Sequence, residues 1–182
     1  MKTFAFGFLS TALLAIGLVG GAAPAAASTT PPTIVGIAST TPGFGTLTAA
    51  ATCTGLAPVL NGPAHLTVFA PTDAAFAKLG LNKANVCSSL PRQTLTNVLL
   101  YHVTPGDRTA QTLLPRGDEP KTVWTLAGQP LEITADARIL TTSGGQSQIV
   151  ATDIRASNGI IHVIDSVLLP GPRGFADGED DD

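Results

Sequence analysis

Two histidines, one aspartate and two serines are the side chains of this sequence that could take part in acid–base or nucleophilic chemistry. They are His102, His162, Asp165, Ser157 and Ser166. A histidine beside a serine can activate the hydroxyl as a nucleophile. A histidine among apolar neighbours is more often a core residue whose ring nitrogens bond to backbone groups or to one carboxylate. We therefore predict structural histidines and no catalytic residues.

Established catalytic motifs are missing from the sequence. It contains no G-x-S-x-G elbow, no H-E-x-x-H zinc motif, no P-loop and no dinucleotide-binding glycine motif. The three histidines, at positions 65, 102 and 162, stand far apart, whereas zinc ligands are clustered or helically spaced. The acidic end, DGEDDD, lacks the ligand spacing of a calcium loop. The sequence predicts a protein that is not an enzyme and has no metal site and no cofactor.

Cys53 and Cys87 are the two cysteines of the chain. In an exported protein an even pair indicates a disulfide, and the alternative is two buried free thiols. The bond would close a loop for which the chain-entropy relation gives a stabilisation of roughly 3 to 4 kcal/mol.

The charge distribution argues against nucleic acid as a partner. Residues 28–170 contain eight basic and eight acidic side chains, and the net charge of −3 arises from the last residues of the chain. A neutral domain without a basic cluster lacks the electrostatic surface that nucleic-acid binding requires.

The chain divides into four predicted segments. Residues 1–27 combine an early lysine, an apolar stretch and a small-residue end, which is typical of a signal peptide cleaved before Ser28. The apolar stretch is shorter than the ~20 residues of a membrane span, so no span is expected in the mature chain. We expect a flexible mature N-terminus over 28–32, one domain over 33–170 and an acidic disordered tail over 171–182.

The first half of the domain has helical signals. Residues 44–60 follow a helical pattern that should end or break near Gly55. A short strand over 67–70 precedes Thr72 and Asp73, which are typical helix-capping residues.

A further helix is predicted after Pro91. It places His102 on its apolar face and Tyr101 off that face, partly exposed. Trp124 lies in the first of a series of strands and is expected to pack inside rather than to form a binding platform. The predicted strands cover residues 123–126, 130–134, 138–142, 147–154 and 158–170. Helices followed by a strand meander indicate an α+β domain.

The last predicted strand, NGIIHVIDSVLLP from Asn158 to Pro170, is an apolar run rich in isoleucine and valine. Such a run is typical of a strand buried on both faces. His162 and Asp165 within it should therefore have internal hydrogen-bond partners.

Three segments of the sequence resemble the fasciclin (FAS1) domain family. They are TVFAPTDAAF (Thr67 to Phe76), the Tyr101-His102 pair, and Asn158 to Pro170. The resemblance implies a wedge of two β-sheets with several helices packed around it. It also identifies the residues of the two flanking motifs: Thr72, Asp73, Asn158, Gly159, His162 and Asp165.

The family resemblance implies a secreted, non-catalytic module for adhesion or matrix contact. In animal members, integrin contacts lie at the Tyr-His pair and at an Asp-Ile pair, which correspond here to Tyr101, His102, Asp153 and Ile154. The residues flanking the Asp-Ile pair differ from the animal motif, so integrin is not the expected partner. The resemblance instead predicts binding to an extracellular polysaccharide or to a cell-surface or matrix protein.

Two other functions stay open at this point. The first is a soluble carrier of an apolar small ligand such as a carotenoid, because some fasciclin-type proteins bind carotenoids and the chain is rich in aliphatic residues. The second is a hydrolase that uses one of the histidines. The expected location is extracellular, in the cell wall or in a periplasm.

Overall fold

The computed structural model describes residues 31–171, in which seven helices and seven strands follow one another. The helices are α1 (Ile34–Thr40), α2 (Gly45–Thr54), α3 (Ala57–Leu60), α4 (Asp73–Ala77), α5 (Val86–Ser89), α6 (Arg92–Tyr101) and α7 (Ala110–Leu113). The strands are β1 (Leu66–Pro71), β2 (Val103–Pro105), β3 (Lys121–Trp124), β4 (Pro130–Ile133), β5 (Arg138–Thr141), β6 (Gln146–Ala156) and β7 (Gly159–Ile164). The predicted signal peptide and all but the first residue of the predicted acidic tail lie outside the described residues.

Both predicted ends of the domain are tied to it by hydrogen bonds. The amide of Ser157 donates to the Pro32 carbonyl at 3.0 Å. At the other end, the Gly171 amide donates to Thr142 Oγ1 at 2.9 Å. Pro32 and Gly171 are therefore both bonded to the domain.

The helix predicted over 44–60 breaks at Gly55, as expected. Gly55 has a φ of 80°, a left-handed conformation that glycine adopts without steric cost. Its amide donates to the Thr52 carbonyl, which ends α2, and the chain restarts as the short α3.

Thr72 and Asp73 both cap helices, but not the same helix. Thr72 Oγ1 accepts a hydrogen bond from the Ala75 amide at the start of α4. The Asp73 carboxylate reaches back to α2, where it accepts from the Gly45 and Thr46 amides at 3.3 and 2.7 Å. Partial burial raises the pKa of Asp73, but these bonds and the nearby Lys83 charge outweigh it and hold that pKa below its usual value. The carboxylate thus joins two segments that are distant in sequence.

The seven strands form a sheet in the order β2-β1-β7-β6-β5-β4-β3. Strands β1 and β7 are parallel, and the other neighbours are antiparallel. The β6 strand has irregular register between Ile149 and Ile154, so the sheet bends there into two halves. The amide of Leu126, just after β3, donates to the Val103 carbonyl of β2 and brings the two outer strands together. The result is the predicted α+β wedge of two sheet layers, nearly closed into a barrel.

Two hydrophobic cores lie on opposite faces of β1 and β7. The helix-side core packs α1, α2 and α6 on the sheet, and its buried members include Phe44, Leu47, Val68, Phe76, Leu95, Ile161 and Val163. The inter-sheet core fills the wedge with Phe69, Tyr101, Leu113, Val123, Leu131, Ile133, Ile139, Ile149, Ile164 and Leu168. All six residues of β7 are buried, which confirms the prediction of a strand covered on both faces.

Cys53 and Cys87 form the predicted disulfide. It joins α2 to α5, and the two Cα atoms lie 6.1 Å apart. The free-thiol alternative is therefore wrong.

Two predictions about strands are wrong. The last strand ends at Ile164 and does not continue toward Pro170. From Asp165 onward the chain bonds to other segments; the Leu168 amide, for example, donates to the His102 ring.

Trp124 was expected to pack inside, but it is 61% exposed. Strand β3 buries the alternate residue, Val123, in the inter-sheet core and leaves Trp124 on the outer face.

Candidate functional site

Tyr101 is completely buried, so the prediction that it is partly exposed is wrong. It is the last residue of α6 and its ring enters the inter-sheet core, on the opposite side of the sheet from the helix-side core. Its hydroxyl donates to the Pro130 carbonyl at 2.9 Å and accepts from the Thr142 amide at 3.1 Å. The side chain therefore ties the end of α6 to the far half of the sheet.

His102 is buried on the apolar side of the helix end, as predicted. Its Nδ1 donates to the Val98 carbonyl at 2.7 Å, and its Nε2 accepts from the Leu168 amide at 2.9 Å. Burial lowers its pKa to about 4, although the hydrogen bond to Val98 acts in the opposite direction. The ring is neutral at neutral pH, and both of its nitrogens are bonded to backbone groups.

The Tyr-His pair is therefore part of the interior in this conformation. Neither Tyr101 nor His102 exposes more than 1% of its surface. A partner at the surface has no access to these side chains, and their roles as contact residues rest on the family resemblance alone.

Asp153 and Ile154 lie where β6 bends. Asp153 has a φ of 59°, a conformation that non-glycine residues rarely adopt, and asparagine and aspartate tolerate it best. Its Oδ1 accepts a hydrogen bond from the Ala110 amide at 2.9 Å. Ile154 is half-buried and packs against the helix-side core. Asp153 therefore places its carboxylate at the bend of β6, whereas Ile154 packs against the helix-side core.

His162 lies directly beneath this bend and is fully buried. Its Nε2 donates to the Arg108 carbonyl at 2.8 Å, and its Nδ1 accepts from the Asp153 amide at 3.4 Å. Burial lowers the pKa of His162, opposed by the bond to Arg108 and by the charge of Asp153. The ring packs near Phe69, with the ring centres 5.9 Å apart. As predicted, His162 has internal partners.

The segment that follows β2, residues 106–110, is held by three side chains of the sheet and is called the 106–110 loop here. His162 binds its Arg108 carbonyl, and Asp153 binds the Ala110 amide. Thr67 is the third: its Oγ1 donates to the Gly106 carbonyl at 2.7 Å and accepts from the Arg108 amide at 2.8 Å. Sequence reasoning missed Thr67, because a threonine in a strand carries no signal that its hydroxyl secures a distant loop.

Asp165 takes partners other than a histidine. Its Oδ1 accepts from the Gln148 amide at 2.9 Å and from the Ser147 hydroxyl at 3.2 Å. The hydrogen bond from the Gln148 amide is the main reason that the pKa of Asp165 lies below its usual value, and partial burial acts in the opposite direction. Lys78 Nζ lies 3.8 Å from the other carboxylate oxygen. The predicted internal partners are present, and the carboxylate orients the turn that follows β7.

The histidine–serine pairs considered from the sequence are not assembled as nucleophile sites. Both nitrogens of His102 and of His162 are occupied by backbone groups. Ser166 accepts a hydrogen bond from Lys78 Nζ at 3.1 Å. His65 is exposed and pairs with Asp107 at 2.7 Å. This geometry leaves neither buried histidine free to take a proton from a serine.

The contacts of Asn158 and Gly159 show why the second motif has an asparagine and a glycine at these positions. Asn158 Oδ1 accepts from the Ile34 amide at 2.9 Å, and its Nδ2 donates to the carbonyls of Leu60 and Gly62. A side chain on Gly159 would collide with the Leu66 carbonyl oxygen of the paired strand. Both residues hold the N-terminal helices against β7.

An apolar groove opens between the first helices and the β1–β2 edge of the sheet. Its lining is drawn from α1, α2, α3, α6 and β2, with Val59 and Leu126 exposed at its margin. Its free volume is about 40 Å³. Pockets for drug-sized ligands have roughly 300 to 1,000 Å³. The groove is thus apolar enough for a lipid-like ligand but holds little space as it stands.

Residues 31–171 include no cluster of three or more histidine, cysteine, aspartate or glutamate side chains arranged to hold a metal ion. Within the same residues, no helix has the length and hydropathy needed to cross a membrane.

Comparison with known sequences finds the same domain in bacteria and animals. The Fasciclin domain profile matches residues 42–170. The Synechocystis protein sll1735 is 39% identical over 144 residues, which cover 77% of this chain and 99% of that protein. The pig transforming growth factor-beta-induced protein ig-h3 is 35% identical over 129 residues, which cover 70% of this chain and 18% of that protein. The immunogenic protein MPB70 of Mycobacterium bovis is 34% identical over 107 residues, covering 57% of this chain and 49% of that protein.

Comparison with solved structures agrees on the fold. A FAS1 domain pair from the insect cell adhesion molecule Fasciclin I superposes with a TM-score of 0.62 at 19% sequence identity. The match covers 76% of this chain and 51% of that one. At this identity the likeness extends to the fold alone.

Proposed function

Since the chain belongs to the fasciclin domain family, we propose that it is an exported, non-catalytic adhesion module that binds a polysaccharide or a protein at a cell surface or in an extracellular matrix. The FAS1 domain pair that shares this fold comes from an insect cell adhesion molecule, which supports an adhesion role. The disulfide between Cys53 and Cys87 fits an oxidising compartment.

The observation that carries the proposed contact site is the braced bend of β6. We call residues 150–155 together with the 106–110 loop the Asp153 corner. Val150, Ala151, Thr152 and Arg155 are exposed on it, so it offers apolar, hydroxyl and cationic groups around the Asp153 carboxylate. The bonds from Asp153 and His162 hold the corner in one shape, and a surface that is already ordered loses less conformational entropy on binding.

A binding assay with one charge change tests this site. Asp153→Asn removes the carboxylate charge, and asparagine both tolerates the positive φ and can still accept from the Ala110 amide. We expect at least about tenfold weaker binding to polysaccharide and protein fractions of the host's own envelope, equivalent to about 1.4 kcal/mol. The control is Asp136→Asn, which makes the same charge change at an exposed residue in the turn between β4 and β5. Equal binding of the two variants would remove the Asp153 corner from the proposal.

The export proposal is tested by the intact mass of the protein recovered outside the cytoplasm. A chain that starts at Ser28 and lacks two hydrogens for the disulfide is the expected product. A mass that still includes residues 1–27 would contradict the proposed signal peptide.

The apolar groove supports a second candidate, a carrier of a small apolar ligand such as a carotenoid. Its lining is almost entirely aliphatic, and Val59 and Leu126 leave its margin uncovered. With about 40 Å³ of free volume, the α1 and α3 walls would have to separate to admit such a ligand. Native mass spectrometry of protein purified from its own host decides this candidate. An additional small apolar mass supports it, and the bare protein mass counts against it.

A further inference from the structure

Two neighbouring segments of the surface depend on the ring of His162. Its Nε2 bonds to the Arg108 carbonyl of the 106–110 loop, and its Nδ1 bonds to the Asp153 amide in the bend of β6. The carboxylate of Asp153 in turn accepts from the Ala110 amide of the same loop. Loop and bend are therefore connected twice, once through the histidine ring and once through the aspartate.

The bonds fix the protonation state of the ring. A carbonyl oxygen can only accept, so Nε2 carries the proton. An amide N–H can only donate, so Nδ1 must present its lone pair to Asp153. The pair of bonds exists only while the imidazole is neutral.

A second proton on the ring removes one of these bonds. It adds to Nδ1, where the new N–H would point at the N–H of Asp153. The Asp153 carboxylate lies near enough for its negative charge to favour the protonated ring. Asp153 holds a positive φ, and such conformations persist only while their surroundings enforce them.

We propose that His162 is an acid-sensitive latch, and that protonation of its Nδ1 releases the Asp153 amide and loosens the bend of β6 together with the 106–110 loop. The change draws the Asp153 carboxylate toward the ring and weakens its bond to the Ala110 amide. Both connections between loop and bend are then altered by a single proton. The latch concerns the shape of the Asp153 corner and holds whether or not that corner binds the partner proposed above.

Other charged groups near the loop define the controls. Asp107 lies in the loop and pairs with the exposed His65. Arg108 Nε donates to the Pro105 carbonyl. Phe69 of β1 packs near the ring, and Thr67 of the same strand bonds to the loop; neither carries a charge. His65 is thus the second imidazole bonded to the loop, and its effect must be separated from that of His162.

Amide exchange and chemical shifts of the exported chain test the latch. In ¹⁵N-labelled protein with the disulfide intact, the Asp153 and Ala110 amides should shift together between pH 7.5 and 4.5. Their exchange rates, corrected for intrinsic pH dependence, should rise at least about tenfold as the structure opens locally. In His162→Gln the side-chain amide can replace both bonds but cannot take a proton, so the transition should disappear. In His65→Gln it should remain.

Several results would overturn the latch. One is a transition that persists in His162→Gln, and another is its loss in His65→Gln. If His162→Gln does not fold, the wild-type titration decides the matter through the Nδ1 resonance of His162. A midpoint shared by this resonance and the two amides supports the latch. Ring protonation without amide changes, different midpoints, or a ring still neutral at pH 4.5 would each refute it.

Discussion

His102 and His162 are both buried and make the same kinds of hydrogen bond, but their surroundings differ. Each ring donates to a backbone carbonyl and accepts from a backbone amide. The nitrogens are exchanged, since His102 donates from Nδ1 and His162 from Nε2. His102 joins the end of α6 to the segment after β7, deep in packed structure. His162 joins β7 to a loop and to a bend, with a carboxylate nearby.

The neighbours of a buried histidine decide what it can do. Burial lowers the pKa of His102, and only the hydrogen bond to the Val98 carbonyl acts against it, without help from a neighbouring charge. The ring of His162 has Asp153 beside it and lies under the 106–110 loop, to which both side chains are hydrogen-bonded. We therefore regard His102 as a permanent structural tie and His162 as a conditional one.

The largest expected effect comes from truncating each ring. His102→Ala should lower the free energy of unfolding by roughly 3 to 5 kcal/mol, because it opens a cavity and leaves the Leu168 amide without a partner. His162→Ala should lower it by roughly 1 to 3 kcal/mol, because the loop above it can relax and admit water. Urea unfolding at pH 7.5 measures both. A loss at His162 that equals or exceeds the loss at His102 would break the comparison.

Acid should destabilise the protein in a range set by these histidines. A histidine whose pKa is lower in the folded state gives stability that is fully present above the unfolded value of about 6.5 and is lost as pH falls toward the folded value. For His102 the folded value is about 4, which corresponds to roughly 3 kcal/mol lost between pH 6.5 and 4.

Unfolding free energies measured at intervals across this range check the sign and the assignment. His102→Gln should show a shallower decline, since the group that titrates is gone. Unchanged stability from pH 7 to 4 in the wild-type protein would contradict the account of both histidines.

Removal of the Tyr101 hydroxyl should cost roughly 1 to 2 kcal/mol. Tyr101→Phe keeps the ring in the inter-sheet core but leaves the Pro130 carbonyl and the Thr142 amide without this partner. Because the side chain is buried, the folded variant should bind envelope fractions as the wild-type protein does. A stable Tyr101→Phe protein that has lost binding would return the Tyr-His pair to the contact surface.

Features set by short stretches of sequence could be predicted. The break at Gly55 and the burial of β7 each follow from a turn residue or an apolar run. Pairing of Cys53 with Cys87 follows from their being the two cysteines of an exported chain.

Features set by distant segments could not be predicted. Asp73 caps a helix that begins 28 residues before it, at Gly45. The ring of Tyr101 turns into the wedge because the chain passes directly from α6 into β2. The partners of His162 come from a loop and a bend with no sequence signal, so its need for partners was predictable but their identity was not.

The smallest effect is expected from replacing Thr67, the third side chain that holds the 106–110 loop. Thr67→Val keeps the shape of the side chain in β1 and removes its bonds to Gly106 and Arg108, at a cost of about 1 kcal/mol or slightly more. If His162 and Thr67 secure the same loop, exchange at the Ala110 amide should rise in this variant while exchange at Leu168 does not change. Equal increases at both amides would show that the loop and the core beneath His102 open as one unit.

The ¹⁵N spectrum of the histidine rings at pH 7.5, where both rings are expected to be neutral, tests the two hydrogen-bond patterns directly. We expect a protonated Nδ1 in His102 and a protonated Nε2 in His162, as their carbonyl partners require. Finding the same tautomer in both rings, or the two assignments reversed, would contradict the hydrogen bonds on which the comparison of the two histidines rests.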